Sequence, residues 1–313
     1  MSALLIGLLG ALLAGDAPSS AANAAAVSAI PVINTNDPVE KEYYQIMLDD
    51  DAAEKEVLGW MNSADSLANA GGGRSQLTLN LRIQQRLDAI KKEYQDFVDR
   101  HPKHVNARLA FGSFLNDNNE QEAAFKQWDE ARQLDPANPA AWDNLGNYYG
   151  ENAQASNAFR CYDKALALNT NQPVYYHNLA ATLYLFRDDA QRYYHLDGEQ
   201  VFDKSLGLYR QAIKMDPANF ILYSDYAECF YGAKPPRWQE GLQAWSEALK
   251  VARNEVEREG VYLHLARINL HVGDYDGARK NLDVVTNANY AKLKSGLEKN
   301  LAAAAGNTSA PPK

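Results

Sequence analysis

The chain has 313 residues, of which 46% are hydrophobic, and its formal net charge at pH 7 is −9. No run of basic residues occurs, and since phosphate binding needs clustered Lys and Arg, the composition argues against a nucleic-acid partner. The acidity fits either solubility or a preference for basic or neutral partners. Segments that alternate polar and apolar residues over strand lengths are almost absent. The sequence therefore predicts an all-α fold.

The N-terminal segment, residues 1–36, has the pattern of an export signal followed by an Ala-rich leader. Ala3 to Ala14 is a leucine-rich run that is too short to span a bilayer and is typical of a signal-peptide hydrophobic region. No Lys or Arg precedes the run, although export signals normally have one. The first interpretation is an exported bacterial protein, periplasmic or secreted, without a stable membrane span; the alternative is a leader on a cytoplasmic protein.

Residues 37–104 are predicted to form a helical hairpin that caps the N-terminal end of the fold. Asp37-Pro38 is a helix-start pattern, because Asp caps the free N–H groups and Pro fits the first turn. The helix is expected to run to about Asn69, where Gly71-Gly72-Gly73 breaks it. Residues 76–100 are expected to form the second helix.

Downstream of the hairpin, three stretches superimpose at a spacing of 34 residues, marked by Val105, Pro139 and Pro173. The second stretch reads Trp142-x-x-Leu145-Gly146-x-x-Tyr149, then Ala158-x-x-x-Tyr162-x-x-Ala165. This pattern resembles the tetratricopeptide repeat, a helix-turn-helix unit that buries its apolar face only by stacking on neighbours. The resemblance implies a right-handed α-solenoid.

Five repeats fall under the resemblance, over residues 105–289. Each places a small residue where two helices approach closely: Gly112, Gly146, Ala180, Ala227 and Ala266. The expected repeat bounds are 105–138, 139–172, 173–219, 220–255 and 256–289. A capping helix over residues 290–305 and a disordered tail over 306–313 are expected to follow, because terminal repeats need a polar outer face.

The family binds extended peptides along the first helices of its repeats, which line a concave groove. The groove positions that this resemblance implies here are Asp143, Asn144, Asn147, His177, Asn178, Tyr184, Asp225, Glu228, Tyr231, His264 and Arg267. Asn144 and Asn178 are equivalent, and a side-chain amide can bond both polar groups of a peptide backbone. The equivalent residues elsewhere are Ala110, Asp225 and His264. The alternative is that the asparagines and tyrosines only pack or solvate their helices.

The third repeat holds an insertion near 186–204, predicted as a loop with exposed aromatics at Tyr193-Tyr194. This loop either contacts a partner or folds back over a repeat edge. His195, Asp197 and Glu199 are dense, but without a second cluster they predict a solvated loop rather than a metal site. No nucleophile or phosphate-binding motif occurs in the sequence. The sequence therefore predicts no catalytic residue, no metal and no cofactor.

Together these patterns predict a non-enzymatic adaptor that binds protein or peptide segments in its concave groove. The alternative is a structural subunit of an envelope assembly that contacts partners through its insertion, convex face or termini. Neither interpretation specifies the partner or the oligomeric state.

Overall fold

The computed structural model describes residues 37–69 and 76–308, and the regular structure within these ranges is helical. Fourteen α-helices follow one another. Their bounds are α1 Pro38–Asn69, α2 Gln76–Arg100, α3 Val105–Asp117, α4 Gln121–Leu134, α5 Pro139–Glu151, α6 Ala155–Leu168, α7 Pro173–Leu185, α8 Arg187–Tyr194, α9 Gly198–Met215, α10 Phe220–Glu228, α11 Trp238–Val251, α12 Glu255–Val272, α13 Tyr275–Asp283 and α14 Ala291–Thr308. Short 3₁₀ turns occur at Cys229–Gly232 and Ala288–Tyr290. The predicted export segment, residues 1–36, lies outside the described residues.

This architecture confirms the predicted all-α fold, with helix pairs stacked into an α-solenoid, a hairpin of α1 and α2 before them and α14 after them. The starts of the first helices follow from the sequence. α5 begins at Pro139, whose missing N–H costs nothing in the first turn, and the Asn138 side chain accepts a hydrogen bond from Ala140 N. Asn219 caps α10 in the same way.

The described residues divide into two compact parts. We call residues 37–69, 76–152 and 160–168 unit 1, and residues 153–159 and 169–308 unit 2.

The core of unit 1 joins the hairpin to the first helix pair. Tyr94 of α2 stacks on Phe111 of α3, with ring centroids 5.5 Å apart, and donates a hydrogen bond from its hydroxyl to Asp50 of α1. On α3, Gly112 lies against the indole of Trp128, so closely that a Cβ at this position would overlap the ring. Gly146 has the same relation to Tyr162 in the next pair. The small residues of the repeat pattern are therefore explained by aromatic rings that occupy the Cβ position.

The core of unit 2 contains the second set of helix pairs and the terminal helix. Trp245 and Phe230 are among its largest fully buried side chains. Leu297 and Leu301 of α14 are buried against α12 and α13. The expected tail from residue 306 is corrected in part, because α14 continues to Thr308. The run Ala302–Ala305 accounts for this, since alanine is the strongest helix former and carries the helix onward.

The insertion is helical, so the predicted loop is wrong. α8 and the first residues of α9 fill most of it. α8 ends at Tyr194, and the next residue, His195, has a φ of 54°, the left-handed conformation that terminates helices. Asp197 then caps α9 through a reciprocal pair of hydrogen bonds with Gln200. Its carboxylate is therefore used as a helix cap.

The aromatics of the insertion are half-buried, in contrast to the predicted exposure. Tyr193 and Tyr194 pack on the buried ring of Phe159, with centroid separations of 5.4 Å and 5.5 Å. These contacts lie within unit 2 and hold α8 against the body of the fold.

Candidate functional site

The residues predicted to line a groove lie on the first helices of successive pairs, and the structure places them in both units. Asp143, Asn144 and Asn147 lie on α5 in unit 1. The other eight lie in unit 2, on α7, on α10 with its 3₁₀ extension, and on α12. Most of the polar ones are buried rather than freely exposed.

In unit 1, the three polar residues of α5 are at most 8% exposed. The Asn147 side-chain oxygen accepts a hydrogen bond of 2.8 Å from the buried hydroxyl of Tyr162. The same tyrosine ring fills the space left by Gly146. Asn147 thus satisfies a buried hydroxyl of its own helix pair, a role that the sequence prediction did not foresee.

In unit 2, His177 of α7 and Asp225 of α10 form a buried pair. His177 Nε2 lies 2.7 Å from Asp225 Oδ2, and the two residues are 3% and 5% exposed. Asp225 Oδ1 is also buried and has no hydrogen-bond partner among the described residues. A buried oxygen of this kind destabilises the fold, since it loses its hydrogen bonds to water and gains none from the protein.

His264 of α12 is held between two aromatic side chains. Its ring stacks on Trp245, with centroids 3.8 Å apart, and its Nδ1 lies 2.9 Å from the Tyr231 hydroxyl. Burial and the nearby Arg267 lower the pKa of His264 to about 3, so the ring is neutral at physiological pH. Burial raises the pKa of Tyr231 well above its usual value, so the hydroxyl beside Nδ1 keeps its proton.

Glu228, at the end of α10, has a pKa near neutral pH. Burial raises its pKa to about 7, against the opposing attraction of Arg267. The side chain is 29% exposed, but its Oε2 is buried and lacks a hydrogen-bond partner in the described part of the chain. Oε2 lies 3.7 Å from His264 Nδ1, and because His264 is neutral this approach is not an ion pair.

Half-buried side chains border these buried groups. Arg267 lies with its guanidinium carbon 5.5 Å from the centroid of the Tyr231 ring, a cation–π distance. Arg187 has the same relation to Tyr184, at 5.2 Å, and donates a 2.7 Å hydrogen bond to the Gly232 carbonyl. Arg187 was missed by the sequence analysis because it belongs to the insertion, which has no equivalent in the other repeats.

We call the seven predicted residues of unit 2 that make these contacts the polar cluster; they are His177, Tyr184, Asp225, Glu228, Tyr231, His264 and Arg267. The cluster combines a carboxyl near its titration point, two phenol rings and a cation, which is the chemistry of non-covalent recognition. Asn178 lies beside it on α7 and is 5% exposed.

Neither a metal centre nor a membrane span is found in the ranges that the structure describes. Over residues 37–69 and 76–308, no group of three His, Cys, Asp or Glu side chains is placed to hold a metal ion. No helix in these ranges is long and apolar enough to cross a membrane. Cys161 and Cys229 are free, buried thiols, and burial raises the pKa of Cys161 to about 11. That shift leaves it a weak nucleophile.

Comparison with known proteins gives one family match and several structural neighbours. A tetratricopeptide-repeat family model matches residues 139–172. No curated protein matches the chain by sequence. PilW, described as a widely conserved type IV pilus biogenesis factor, superimposes with a TM-score of 0.56 at 14% identity, covering 72% of this chain and 96% of PilW. PilF of Pseudomonas aeruginosa gives 0.50 at 11% identity, covering 78% of this chain and 99% of PilF. At these identities the likeness establishes the fold alone.

Proposed function

We propose that this chain, in which residues 139–172 match a tetratricopeptide-repeat family model, is a non-enzymatic scaffold that binds a segment of another protein at the polar cluster of unit 2. The observation that carries the proposal is the set of buried polar groups on successive first helices. A stack of helices packs well with apolar residues at such positions, and each buried polar group destabilises the fold unless it is fully paired. Asp225 Oδ1 and Glu228 Oε2 remain unpaired.

A bound segment offers what these groups lack. Peptide N–H groups, directly or through water, would donate to the carboxylate oxygens, while the Tyr184 and Tyr231 rings would supply apolar contact area. Arg267 would donate hydrogen bonds from its guanidinium to a carbonyl or carboxylate of the partner. Such contacts recognise the backbone and charge of the partner more than a particular side-chain sequence. This recognition suits a scaffold that binds more than one protein.

The equivalent asparagines are proposed as further polar contacts, Asn144 in unit 1 and Asn178 in unit 2. Asn147 is a poorer choice for mutagenesis, because its replacement would remove an acceptor of the buried Tyr162 hydroxyl. A triple asparagine variant would therefore confuse binding with folding.

A shape-conserving variant tests the proposal. Glu228→Gln/Tyr184→Phe removes one carboxylate and one hydroxyl and leaves the helix packing in place. Wild type and variant are used to capture partners from native extract, and each captured protein is then produced alone and titrated by calorimetry. We expect a partner whose affinity falls at least about tenfold in the variant, about 1.4 kcal/mol.

The matched control is Glu247→Gln/Tyr223→Phe, which makes the same chemical changes elsewhere in unit 2. It should bind as wild type does. Equal affinity of wild type and the cluster variant for every captured partner would contradict binding at the cluster.

The second candidate is a structural subunit that contacts an assembly outside the polar cluster. The observation that favours it is α8, an inserted helix whose sequence Arg187–Tyr194 has no counterpart in the other repeats. A partner retained by the cluster variant and lost on replacing the exposed side chains of α8, such as Arg192, would support this alternative.

We also propose that the protein is exported, from the leucine-rich run between Ala3 and Ala14. Intact-mass measurement of protein from fractionated cells tests this. A cytoplasmic protein with the full N-terminal mass would contradict export.

A further inference from the structure

A second candidate site lies at the C-terminal end of unit 2, between α12 and α14. A cavity of about 600 Å³ opens there. Its wall includes Arg267 and His271 from α12 and Lys292, Gly296 and Lys299 from α14. The volume falls in the range of ordinary ligand pockets, which is about 300–1,000 Å³. We call this cavity the terminal pocket.

The terminal pocket is basic, although the chain as a whole carries a net charge of −9. The ionisable residues that line it are Arg, Lys and His, and no Asp or Glu lies among them. Across the described ranges, Arg267, Lys292 and Lys299 form no ion pair with a carboxylate. The neighbouring Lys294, by contrast, lies 3.9 Å from Glu298 and donates to the Val285 carbonyl. Arg267 still attracts the Glu228 carboxyl, so Lys292 and Lys299 are the cations that no ion pair among the described residues neutralises.

Its floor is apolar and open. Leu270, Leu293 and Leu297 line it between the cations, and Leu297 is anchored in the core that α14 shares with α12. A Cβ built on Gly296 meets no atom within 4 Å, so a side chain from outside has room at that point. Apolar walls beside unpaired cations favour a ligand that carries a carboxylate next to an aliphatic group, because the low-dielectric wall strengthens the charge interaction.

We propose that the terminal pocket binds an acidic segment of a partner protein in which carboxylates flank leucine-type side chains. Lys292 and Lys299 pair with the carboxylates, and the leucine side chain rests on the apolar floor above Gly296. Charge complementarity selects this occupant, because the ionisable residues that line the pocket are Arg, Lys and His. Arg267 belongs to both sites. The inference nevertheless goes beyond the proposed function, because it depends on Lys292 and Lys299 of α14, which contributes nothing to the polar cluster.

The test uses a fluorescein-labelled peptide of Leu and Glu in the order Leu-Glu-Glu-Leu-Leu-Glu-Glu-Leu and its counterpart with Gln for Glu. Fluorescence anisotropy with full-length protein should show binding of the Glu peptide, weakening with added salt. Lys292→Glu/Lys299→Glu should weaken it at least tenfold. Gly296→Trp should do the same without changing charge, because the indole fills the pocket.

Two matched controls separate the pocket from general effects. Lys214→Glu/Lys280→Glu alters the net charge equally at exposed positions outside the pocket, and Gly59→Trp adds an indole at an open helical position of α1. Both should bind as wild type does. Glu228→Gln/Tyr184→Phe should also keep its affinity for the peptide, so failure of the pocket proposal and failure of the proposed function are distinguished.

Three results would overturn the proposal: equal affinity for the Glu and Gln peptides, unchanged binding by both pocket variants, or equal losses in pocket and control variants. Vesicles of phosphatidylglycerol form a further arm. Vesicle binding that depends on Lys292 and Lys299, with no peptide binding, would assign the pocket to an anionic lipid surface and overturn the peptide occupant.

Discussion

His177 and Asp225 are 48 positions apart in the sequence, yet Nε2 of the histidine lies 2.7 Å from Oδ2 of the aspartate inside unit 2. The contact joins α7 to α10, two successive first helices. Neither side chain is more than 5% exposed. The pair therefore links two repeats by a polar contact. The repeat pattern alone predicts only close packing at these positions.

Removing one member of this pair should be strongly destabilising. His177→Ala leaves the Asp225 carboxylate buried without its partner, at a loss of about 3–5 kcal/mol. Asp225→Asn keeps the volume and one hydrogen bond, so its loss should be smaller. Urea denaturation followed by circular dichroism measures both, and the double variant His177→Ala/Asp225→Ala should be less destabilised than the sum of the single alanine variants. Additive losses would show that the two residues do not interact.

The contribution of Glu228 to the free energy of unfolding should fall as the pH rises. The folded state raises the pKa of this carboxyl from 4.5 to about 7, so it binds the proton more tightly than the unfolded chain does. The resulting stabilisation is present at low pH and is lost between about pH 4.5 and pH 7. Glu228→Gln should therefore match wild type near pH 5 and be more stable by roughly 1–3 kcal/mol at pH 8.5.

The pH series needs a control of opposite sign. Glu240 is bonded to Arg237, which holds the pKa of this carboxyl below its usual value. Glu240→Gln should give no gain in unfolding free energy at pH 8.5. A pH-independent difference between wild type and Glu228→Gln would contradict the assignment of the titration to Glu228.

The fold could be predicted because its determinants recur in the sequence. Gly112 and Gly146 stand 34 residues apart, and each is forced to be small by an aromatic ring on the following helix. The insertion, which contains α8 and the start of α9, has no such recurrence. Its clearest signal is the Asp-x-x-Gln pattern of Asp197 and Gln200, which marks the start of α9 rather than a solvated loop.

The helices that carry the residues of the candidate site could be predicted from the sequence, but the contacts of their side chains could not. The repeat pattern places Asn147 and His264 on first helices. Their hydrogen bonds to Tyr162 and Tyr231 depend on how closely neighbouring helices approach each other. The terminal pocket could not be predicted from the sequence for the same reason. Its cations come from two helices whose side chains are juxtaposed only by the packing of α14 on α12.

The buried glycines should tolerate no side chain. Gly112→Ala and Gly146→Ala would drive a Cβ into the rings of Trp128 and Tyr162, and overpacking of this kind is destabilising by about 1–3 kcal/mol. Gly207→Ala is the control, since its Cβ meets nothing within 4 Å in the middle of α9. It should stabilise the protein by about 0.5–1 kcal/mol through helix propensity. Thermal denaturation measures all three, and a destabilised Gly207→Ala variant would contradict the packing argument.

The aromatics of α8 should hold the inserted helix in place. Tyr194 packs on Phe159 and on Tyr193, and the Lys204 ammonium lies 4.7 Å from the centroid of its ring. Tyr194→Ala removes these contacts, so α8 should open more readily than the rest of unit 2. Hydrogen exchange measures this directly: amides over Arg187–Tyr194 should exchange at least tenfold faster in the variant, whereas those of α12 should be unchanged.

Tyr44→Ala, at a position that is 37% exposed on α1, is the matched control and should leave exchange in α8 as it is. Unchanged protection of α8 in Tyr194→Ala would show that something other than ring packing anchors the helix. The two tyrosines would then be available to a partner, which the exposed-aromatic interpretation of the sequence requires. Faster exchange confined to α8 makes Tyr194 a packing residue instead, and leaves only the exposed polar side chains of the insertion for recognition.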